Sequence, residues 1–198
     1  MKKLLAIIAT AFIATSVSAQ SEAGSFTLQP NVGLTYSTAT GDYGDGKDGA
    51  IGVTAGVEGM YMVNEKFGAA LGLNYTGYNV SIEGLKDVIY SNYYFNIPVM
   101  ANYYVVPGLA LKAGIALNIL STAREDGYDE YDLVYGFKTT KVVVKDAYKS
   151  TFFSIPVGAS YEIDGFVFDV RYNFGLGKVH ESKDGSFNAL TFTIGYKF

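Results

Sequence analysis

The chain has 198 residues, of which 49% are hydrophobic and 17% are charged, and its formal net charge is −4. An apolar fraction of this size excludes a disordered chain, and the acidic balance argues against nucleic acid as a partner. Because the sequence contains no Cys and a single His, disulfides, thiolate catalysis and Cys-based zinc sites are excluded, and we expect no cofactor.

The first segment, residues 1–19, has the pattern of a secretory signal peptide. Lys2 and Lys3 form a positive start, an apolar run follows, and the small residues Val17 and Ala19 stand at the −3 and −1 positions of a cleavage site. The apolar run is too short to span a bilayer comfortably as an anchoring helix. We therefore predict export from the cytoplasm through a cleaved signal peptide.

The remaining chain, residues 20–198, is predicted to form one domain in which apolar and polar positions alternate with a period of two. In the last segment, Thr191, Thr193, Gly195 and Lys197 share one face and apolar residues share the other. Such alternation indicates β-strands and predicts an all-β fold of eight antiparallel strands. In chain order, the predicted strands lie near residues 26–38, 50–63, 67–80, 89–104, 108–121, 148–163, 165–178 and 187–198.

The connections between the predicted strands alternate in length. Short turns at one end and long loops at the other, with an even strand count, describe an eight-stranded up-and-down transmembrane β-barrel. We expect both termini in the periplasm and the long loops outside the cell, in a Gram-negative outer membrane. The short turns are predicted at residues 64–66, 106–107 and 164–165, and the longer loops near 39–49, 81–88, 122–147 and 179–186.

The two faces of the predicted strands differ in a way that favours a membrane barrel over a soluble one. The polar face of a soluble barrel meets water and is rich in Lys and Glu, whereas here it carries mostly Gly, Asn, Ser, Thr and Ala. The apolar face is aliphatic in mid-strand and aromatic toward the ends, which is typical of a lipid-facing surface. The predicted aromatic rings contain Tyr61, Phe67, Tyr103, Tyr161, Phe166 and Tyr196 near the short turns, and Tyr36, Tyr75, Tyr93 and Phe153 toward the long loops.

Two segments repeat one another, since residues 94–103 read YFNIPVMANY and residues 152–161 read FFSIPVGASY. Each has a proline in mid-strand, Pro98 or Pro156, whose missing N–H breaks a ladder bond, so we expect a β-bulge or bend there. These segments, with the strand GLALKAGIALN that follows the first, resemble the porin-family outer-membrane barrels common in Bacteroidetes, which have a PorT-like β-barrel domain. The resemblance implies an outer-membrane location, but it transfers no specific function, because the family is functionally diverse.

The end of the chain resembles the C-terminal signal that the barrel-assembly machinery reads. This signal consists of Phe192, Ile194, Tyr196 and Phe198. The resemblance implies the barrel-assembly machinery as a partner, and the outer-membrane location adds lipid and lipopolysaccharide. Barrels of this size are often monomers, and we expect a monomer here.

Six charged residues fall on the inward face of the predicted strands. Because side chains fill the interior of an eight-stranded barrel, unpaired charges there would be costly, and we expect the four that lie at similar heights to pair as a plug across the lumen. The six are Glu58, Lys112, Asp169 and Arg171, at similar heights above the short turns, and Glu162 and Lys197. The pattern predicts a salt-bridged, side-chain-filled lumen without an open pore.

Two functions remain open for such a barrel. A filled lumen favours a structural or surface-interaction barrel, whereas a lining of Gly and small polar residues leaves room for water and keeps a narrow channel for small solutes or hydrophobic compounds as the alternative. We do not expect an enzyme. His180 lies beside Glu181 and Ser182, but sequence neighbours at a strand end point in different directions, so adjacency does not make a catalytic triad.

The long loops carry clustered carboxylates that form a weak candidate site for a cation such as Ca²⁺ or Mg²⁺. Neither loop has the EF-hand spacing, so a solvated acidic loop is the simpler interpretation. Loop 122–147 also reads DLVYGF-KTT-KVVVKD, a hairpin pattern whose free edge could pair with an extracellular partner. The acidic residues are Asp42, Asp45 and Asp48 in the first loop, and Glu125, Asp126 and Asp129 in the long one.

Overall fold

Eight long antiparallel strands form the wall of a closed barrel in the computed structural model, which describes residues 22–126, 142–143 and 145–198. The signal peptide predicted for residues 1–19 lies outside these described residues. In chain order the strands are β1 (Phe26–Ala39), β2 (Lys47–Asn64), β3 (Phe67–Ile82), β4 (Leu85–Val106), β5 (Leu109–Asp126), the two-residue β6 (Val142–Val143), β7 (Thr151–Ile163), β8 (Phe166–Leu176) and β9 (Phe187–Tyr196).

Each long strand pairs with the long strands before and after it in the chain, so the order around the wall is β1, β2, β3, β4, β5, β7, β8 and β9. The barrel closes where β9 pairs antiparallel with β1. Among the described residues, the short β6 pairs with the C-terminal end of β5. The predicted eight-stranded up-and-down β-barrel is therefore confirmed. Among the residues described, no helix is long and apolar enough to cross a membrane.

Tight turns and both ends of the described chain lie at one end of the barrel, which we call the short-turn end. The turns are two residues long, at 65–66, 107–108 and 164–165. Gly108 and Gly165 have φ of 83° and 81°, a left-handed conformation that glycine adopts without steric cost. Leu28 and Phe198 exchange two backbone hydrogen bonds of 3.1 and 2.9 Å, which hold the chain ends together. We call the opposite end the loop end.

The prediction of a long loop near residues 81–88 is wrong. β3 and β4 run on past the predicted boundaries and meet at a two-residue turn, Glu83 and Gly84, in which Gly84 has φ of 79°. The pairing is irregular only between Ser81 and Ile82. Polar residues in this stretch indicated a loop, but they belong to a strand pair that continues beyond the apolar part of the wall.

The bulges expected at Pro98 and Pro156 are absent. The β4–β5 pairing passes through Pro98 in one register, and the β7–β8 pairing does the same at Pro156. A Cβ on Gly72 would lie 2.8 Å from Cγ of Pro98, so this glycine leaves room for the ring. The proline therefore fits the inner face of the wall without an extra residue.

The outer surface of the wall is apolar, and the inner surface is mostly polar. On β1, for example, Val32 and Leu34 point outward and are more than half exposed, whereas Thr35 and Ser37 are buried inside. This arrangement is the reverse of a soluble barrel, and it satisfies the polar groups within the protein while lipid meets the apolar face. Aromatic side chains of both predicted rings lie on the outer surface, including Tyr61, Phe67, Tyr103, Tyr161 and Phe166 near the short turns and Tyr36, Tyr75 and Phe153 toward the loop end.

Candidate functional site

The inward-facing charges of the lumen form one compact group, the charge cluster, made of Glu58, Lys112, Asp169 and Arg171. Lys112 Nζ donates to Glu58 Oε1 at 2.6 Å and to Asp169 Oδ2 at 2.9 Å. Arg171 Nη2 donates to Glu58 Oε2 at 2.6 Å, and its Nε donates to Asp169 Oδ1 at 2.6 Å. Each cation therefore contacts both carboxylates, and the four charges sum to zero.

The charge cluster crosses the lumen rather than following the wall. Glu58 lies on β2, Lys112 lies on β5, and Asp169 and Arg171 lie on β8. Both β5 and β8 are three strands away from β2 in the order around the barrel. The contact between Lys112 and Asp169 is also shielded from solvent, because these side chains are only 2% and 1% exposed. The cluster therefore bridges opposite sides of the barrel in its middle.

The other two predicted lumen charges form a separate pair. Lys197 Nζ contacts Glu162 Oε2, and both side chains are buried. Lys197 follows β9, and Glu162 lies at the end of β7, so this pair lies closer to the short-turn end than the charge cluster does. The structure thus distributes the six predicted charges over two levels of the lumen.

A layer of buried rings, which we call the aromatic layer, fills the lumen toward the loop end. It consists of Tyr78, Tyr94, Phe152 and Phe187, from β3, β4, β7 and β9. Ring centroids lie 5.1 Å apart for Tyr94 and Phe152 and 5.7 Å apart for Tyr78 and Phe187. Contributions from four strands around the barrel place rings across the whole cross-section.

A hydrogen-bonded amide network adjoins the aromatic layer on its short-turn side. Asn96 Nδ2 donates to Asn118 Oδ1 at 2.8 Å, Asn118 Nδ2 donates to Ser154 Oγ at 3.0 Å, and the Tyr78 hydroxyl donates to Asn118 Oδ1 at 3.2 Å. Between this network and Arg171 of the charge cluster lies a cavity of about 30 Å³ with Asn and Thr side chains along it. A cavity of this volume holds about two water molecules.

Three segments at the loop end pack together around Tyr43, and we call this group the loop cap. The Tyr43 hydroxyl lies 2.8 Å from that of Tyr148, and the Tyr43 ring stacks on His180 with centroids 5.3 Å apart. Lys47 Nζ donates to the Tyr43 carbonyl at 2.7 Å and lies 4.1 Å from the centre of its ring. Burial raises the pKa of Tyr43 far above its ordinary value, and the Tyr148 contact raises it further.

The predicted loop and terminal sites have different outcomes. Among the described residues, no three His, Cys, Asp or Glu side chains come together to hold a metal ion, so Asp42, Asp45 and Asp48 do not form such a group. The side chains of Glu125 and Asp126, and the whole of Asp129, lie outside what the structure describes. The residues proposed as an assembly signal, Phe192, Ile194, Tyr196 and Phe198, lie on or just after β9, and the Tyr196 ring packs between Phe166 and Phe198.

Sequence reasoning missed the aromatic layer and the loop cap. Strand parity carries a signal for the layer, because Tyr78 has the same parity as the inward residues Asn74 and Thr76, and Tyr94 has the same parity as Asn96. Tyr94 and Phe152 could be recognised as large side chains beside the small lumen glycines, but the joining of four rings into one layer could not be predicted. The loop cap left no comparable signal, since its residues come from segments far apart in the sequence.

Comparison with solved structures shows the same fold in two other proteins. The crystal structure of Ail, the attachment invasion locus protein of Yersinia pestis, has a TM-score of 0.54 at 14% identity and covers 89% of this chain and 99% of its own. Neisserial surface protein A has a TM-score of 0.57 at 17% identity and covers 89% of this chain and 100% of its own. No curated protein sequence matches this chain significantly.

The sequence also matches a family model directly. The model describes the outer membrane protein beta-barrel domain and aligns with residues 18–181, which is most of the chain. The closed wall, the apolar outer surface and the polar lumen agree with that match. The chain therefore belongs to the outer membrane protein beta-barrel domain family.

Proposed function

We propose that this protein is a closed surface barrel of the outer membrane, which conducts no solute and acts through its extracellular loops. The observation that carries the proposal is the charge cluster, in which Lys112 and Arg171 each contact both Glu58 and Asp169 across the lumen. A passing ion would have to separate four paired, buried charges. Breaking such a buried pair costs about 3–5 kcal/mol.

The aromatic layer supports the same proposal as a second, independent closure. Its four rings lie across the lumen on the loop side of the charge cluster. The cavity between the aromatic layer and the charge cluster measures about 30 Å³. That volume accommodates about two water molecules and no solute as large as a sugar or an amino acid. A transported molecule would have to displace both closures at once.

The surface role is assigned to the loop end, which we place outside the cell with both chain ends in the periplasm. Three segments there form the packed loop cap, which gives the barrel an ordered outer surface. The similar folds support this assignment by analogy, because one is named an attachment invasion locus protein and the other a surface protein. We propose that loop 122–147 contributes to the contact with an extracellular partner.

A narrow channel for small solutes or hydrophobic compounds is the alternative. It is favoured by the cavity of about 30 Å³ inside the lumen, because Asn and Thr side chains of the wall line it. If the aromatic layer moved aside, this cavity would form the half of a pore that lies toward the loop end. The closed-barrel proposal is preferred because the charge cluster would still obstruct the lumen on the short-turn side of the cavity.

Several finer assignments are proposals that accompany this function. The repeated segments at 94–103 and 152–161 support membership of the porin-family, PorT-like group. The residues from Phe192 to Phe198 are proposed to be read by the barrel-assembly machinery. The mature protein is proposed to be a monomer exported through its signal peptide, surrounded by outer-membrane lipid and lipopolysaccharide, and without enzymatic activity.

One experiment separates the two functions. The full-length protein is expressed in a porin-deficient bacterial host, and uptake of a small antibiotic and adhesion of the cells to extracellular matrix are measured side by side. A closed surface barrel predicts unchanged uptake and increased adhesion. A variant lacking residues 131–141 provides the matched comparison, because it alters the long loop and leaves every described strand in place.

We expect this loop deletion to abolish the gain in adhesion without changing uptake. Uptake that rises with the intact protein and is insensitive to the deletion would instead support the channel. Equal adhesion by the intact and shortened proteins would contradict the role assigned to loop 122–147. Surface exposure of both proteins is checked by protease accessibility on intact cells.

A further inference from the structure

The side chain of Asn92, on β4, is buried in the lumen without a hydrogen bond. Its exposed fraction is 0%, and neither its Oδ1 nor its Nδ2 has a partner among the described residues. The hydroxyl of Tyr94, two residues further along the same inner face, is also buried without a partner there. We call these two side-chain groups the orphan groups. Burying a polar group without a partner costs free energy, so their position in the fold requires a physical reason.

Neighbouring groups of the same chemical type are hydrogen-bonded. Asn118, on β5, is as fully buried as Asn92, but its Oδ1 accepts hydrogen bonds from Asn96 and Tyr78, and its Nδ2 also donates. The Tyr78 hydroxyl of the aromatic layer therefore has a partner, whereas the Tyr94 hydroxyl of the same layer has none among the described residues. The orphan groups thus differ from their neighbours in hydrogen bonding and not in burial.

Asn92 lies between the aromatic layer and the loop cap. Tyr94 packs against Phe152 and Phe187, with ring centroids 5.1 and 6.2 Å away. These two residues stand at or next to the starts of β7 and β9. Asn92 is two residues closer to the loop end than Tyr94. Around Asn92, the lumen is therefore enclosed by the loop cap as well as by the wall.

The surroundings of Tyr43 connect Asn92 with the loop cap. Burial and the Tyr148 contact raise the pKa of Tyr43, and the nearby Tyr94 and Tyr90 raise it further. Tyr90 and Tyr94 flank Asn92 on the inner face of β4, since side chains two residues apart on a strand point the same way. The Asn92 amide therefore faces the Tyr43–Tyr148 pair of the loop cap.

One segment of the loop cap, residues 177–185, is attached by few buried contacts, and we call it the lid. It begins and ends at glycines, whose φ values are 78° and 138°. Within the lid, Val179 is the only fully buried residue. The ion pairs of Lys178 and Glu181 are exposed, and such pairs stabilise little. The attachment therefore depends on Val179, on the stacked His180 ring and on a few backbone hydrogen bonds.

We propose that the loop cap opens and closes by movement of the lid, and that the orphan groups lower the free-energy cost of opening. In the closed cap, their polar atoms are shielded from bulk solvent and have no partner among the described residues. Opening lets water reach them and removes the cost of burying them. It also exposes the rings of Tyr43 and Tyr148 at the loop end. Opening leaves the charge cluster in place, so it is independent of whether the barrel conducts.

A single introduced thiol measures how often the cap opens. Because the chain has no Cys, Val179→Cys gives one thiol, at the buried position of the lid. The refolded mature protein in detergent micelles is mixed with an excess of a maleimide reagent, and the labelling rate follows the population of the open cap. We expect labelling that is slower than that of an exposed thiol and much faster than unfolding of the barrel in the same micelles.

Two substitutions in the Val179→Cys protein test the orphan groups. Tyr94→Phe removes one hydroxyl, and Asn92→Leu replaces the amide with an apolar group. Each should slow labelling at least about fivefold, because the closed cap then buries one unpartnered group fewer. The matched controls are Tyr78→Phe and Asn118→Leu, which remove a hydroxyl and an amide that have partners. Neither control should slow labelling.

Three results would overturn the proposal. Labelling of Val179→Cys no faster than unfolding of the barrel would show that the cap does not open. Equal labelling rates with and without Tyr94→Phe and Asn92→Leu would show that the orphan groups do not promote opening. Faster labelling in both variants would show that bound water or another partner satisfies these groups in the closed cap. Circular dichroism checks the folding of each variant, and Tyr94→Phe decides the question if Asn92→Leu does not fold.

Discussion

At the residue scale, the charge cluster shows how a membrane barrel tolerates buried charges. Lys112 is 2% exposed and has lost its hydration, but two carboxylates within 2.9 Å replace the water. Arg171 has the same two partners. Removing one cation leaves the remaining one shared between two buried carboxylates. The cost of removal should therefore be large and specific to the lumen.

The first prediction compares two lysines with similar ion-pair distances. Lys112→Ala should lower the free energy of unfolding by about 3–5 kcal/mol, the cost of breaking a buried pair. Lys149→Ala removes a 2.8 Å contact with Glu181 in which both side chains are at least 41% exposed, and it should cost about 0–1 kcal/mol. Urea unfolding in lipid vesicles measures both values. Equal losses would contradict the role of burial.

At the element scale, the loop cap links segments that no strand pairing joins. His180 stacks on Tyr43, and its Nδ1 accepts a hydrogen bond of 3.2 Å from the backbone N–H of Ser182. Burial lowers the pKa of His180 below the ordinary 6.5, and Lys47 and Lys183 lower it further, while Glu181 opposes them. Protonation would therefore remove an acceptor and add a third positive charge beside two lysines.

The second prediction concerns the pH dependence of this cap. Since the pKa of His180 is lower in the folded loop, its contribution is complete above pH 6.5 and is lost as the pH falls through the folded value. Hydrogen exchange of residues 177–186, corrected for intrinsic rates, should show weaker protection at about pH 5 than at about pH 7.5. His180→Phe keeps the stacking and should abolish the difference. A pH effect that persists in His180→Phe would exclude His180 as its source.

Strand periodicity predicted most of the wall, and its failures have identifiable causes. Alternation over β8 and β9 was sufficient, because lipid on one side and a polar lumen on the other impose opposite side-chain types. It failed at Glu83 and Gly84, where the strand pair leaves the apolar belt and the alternation that marks it ends. Strand periodicity also could not predict that Gly72 accommodates the Pro98 ring, since that contact joins two different strands.

At the scale of the whole molecule, the groups inside the lumen lie at successive levels along the barrel axis. The buried side chains of Met60, Met62 and Met100 and the Glu162–Lys197 pair lie near the short-turn end, the charge cluster lies in the middle, and the aromatic layer lies between the charge cluster and the loop cap. The inward charges could be identified from parity alone. Their similar heights above the short turns also predicted that four of them pair across the lumen. The individual contacts could not be predicted, because they depend on which strands face each other across the closed barrel.

Single-channel conductance of the refolded mature protein in a planar bilayer tests the closed lumen most directly. The wild-type protein, shown to be folded in the same membrane, should give no stepwise current. A second variant, checked for folding in the same membrane, has Glu58, Lys112, Asp169, Arg171, Tyr94 and Phe152 all replaced by Ala. It should conduct, because no bulky side chain of the charge cluster remains and the aromatic layer is halved. Stable current steps from the wild-type protein would contradict the closed barrel.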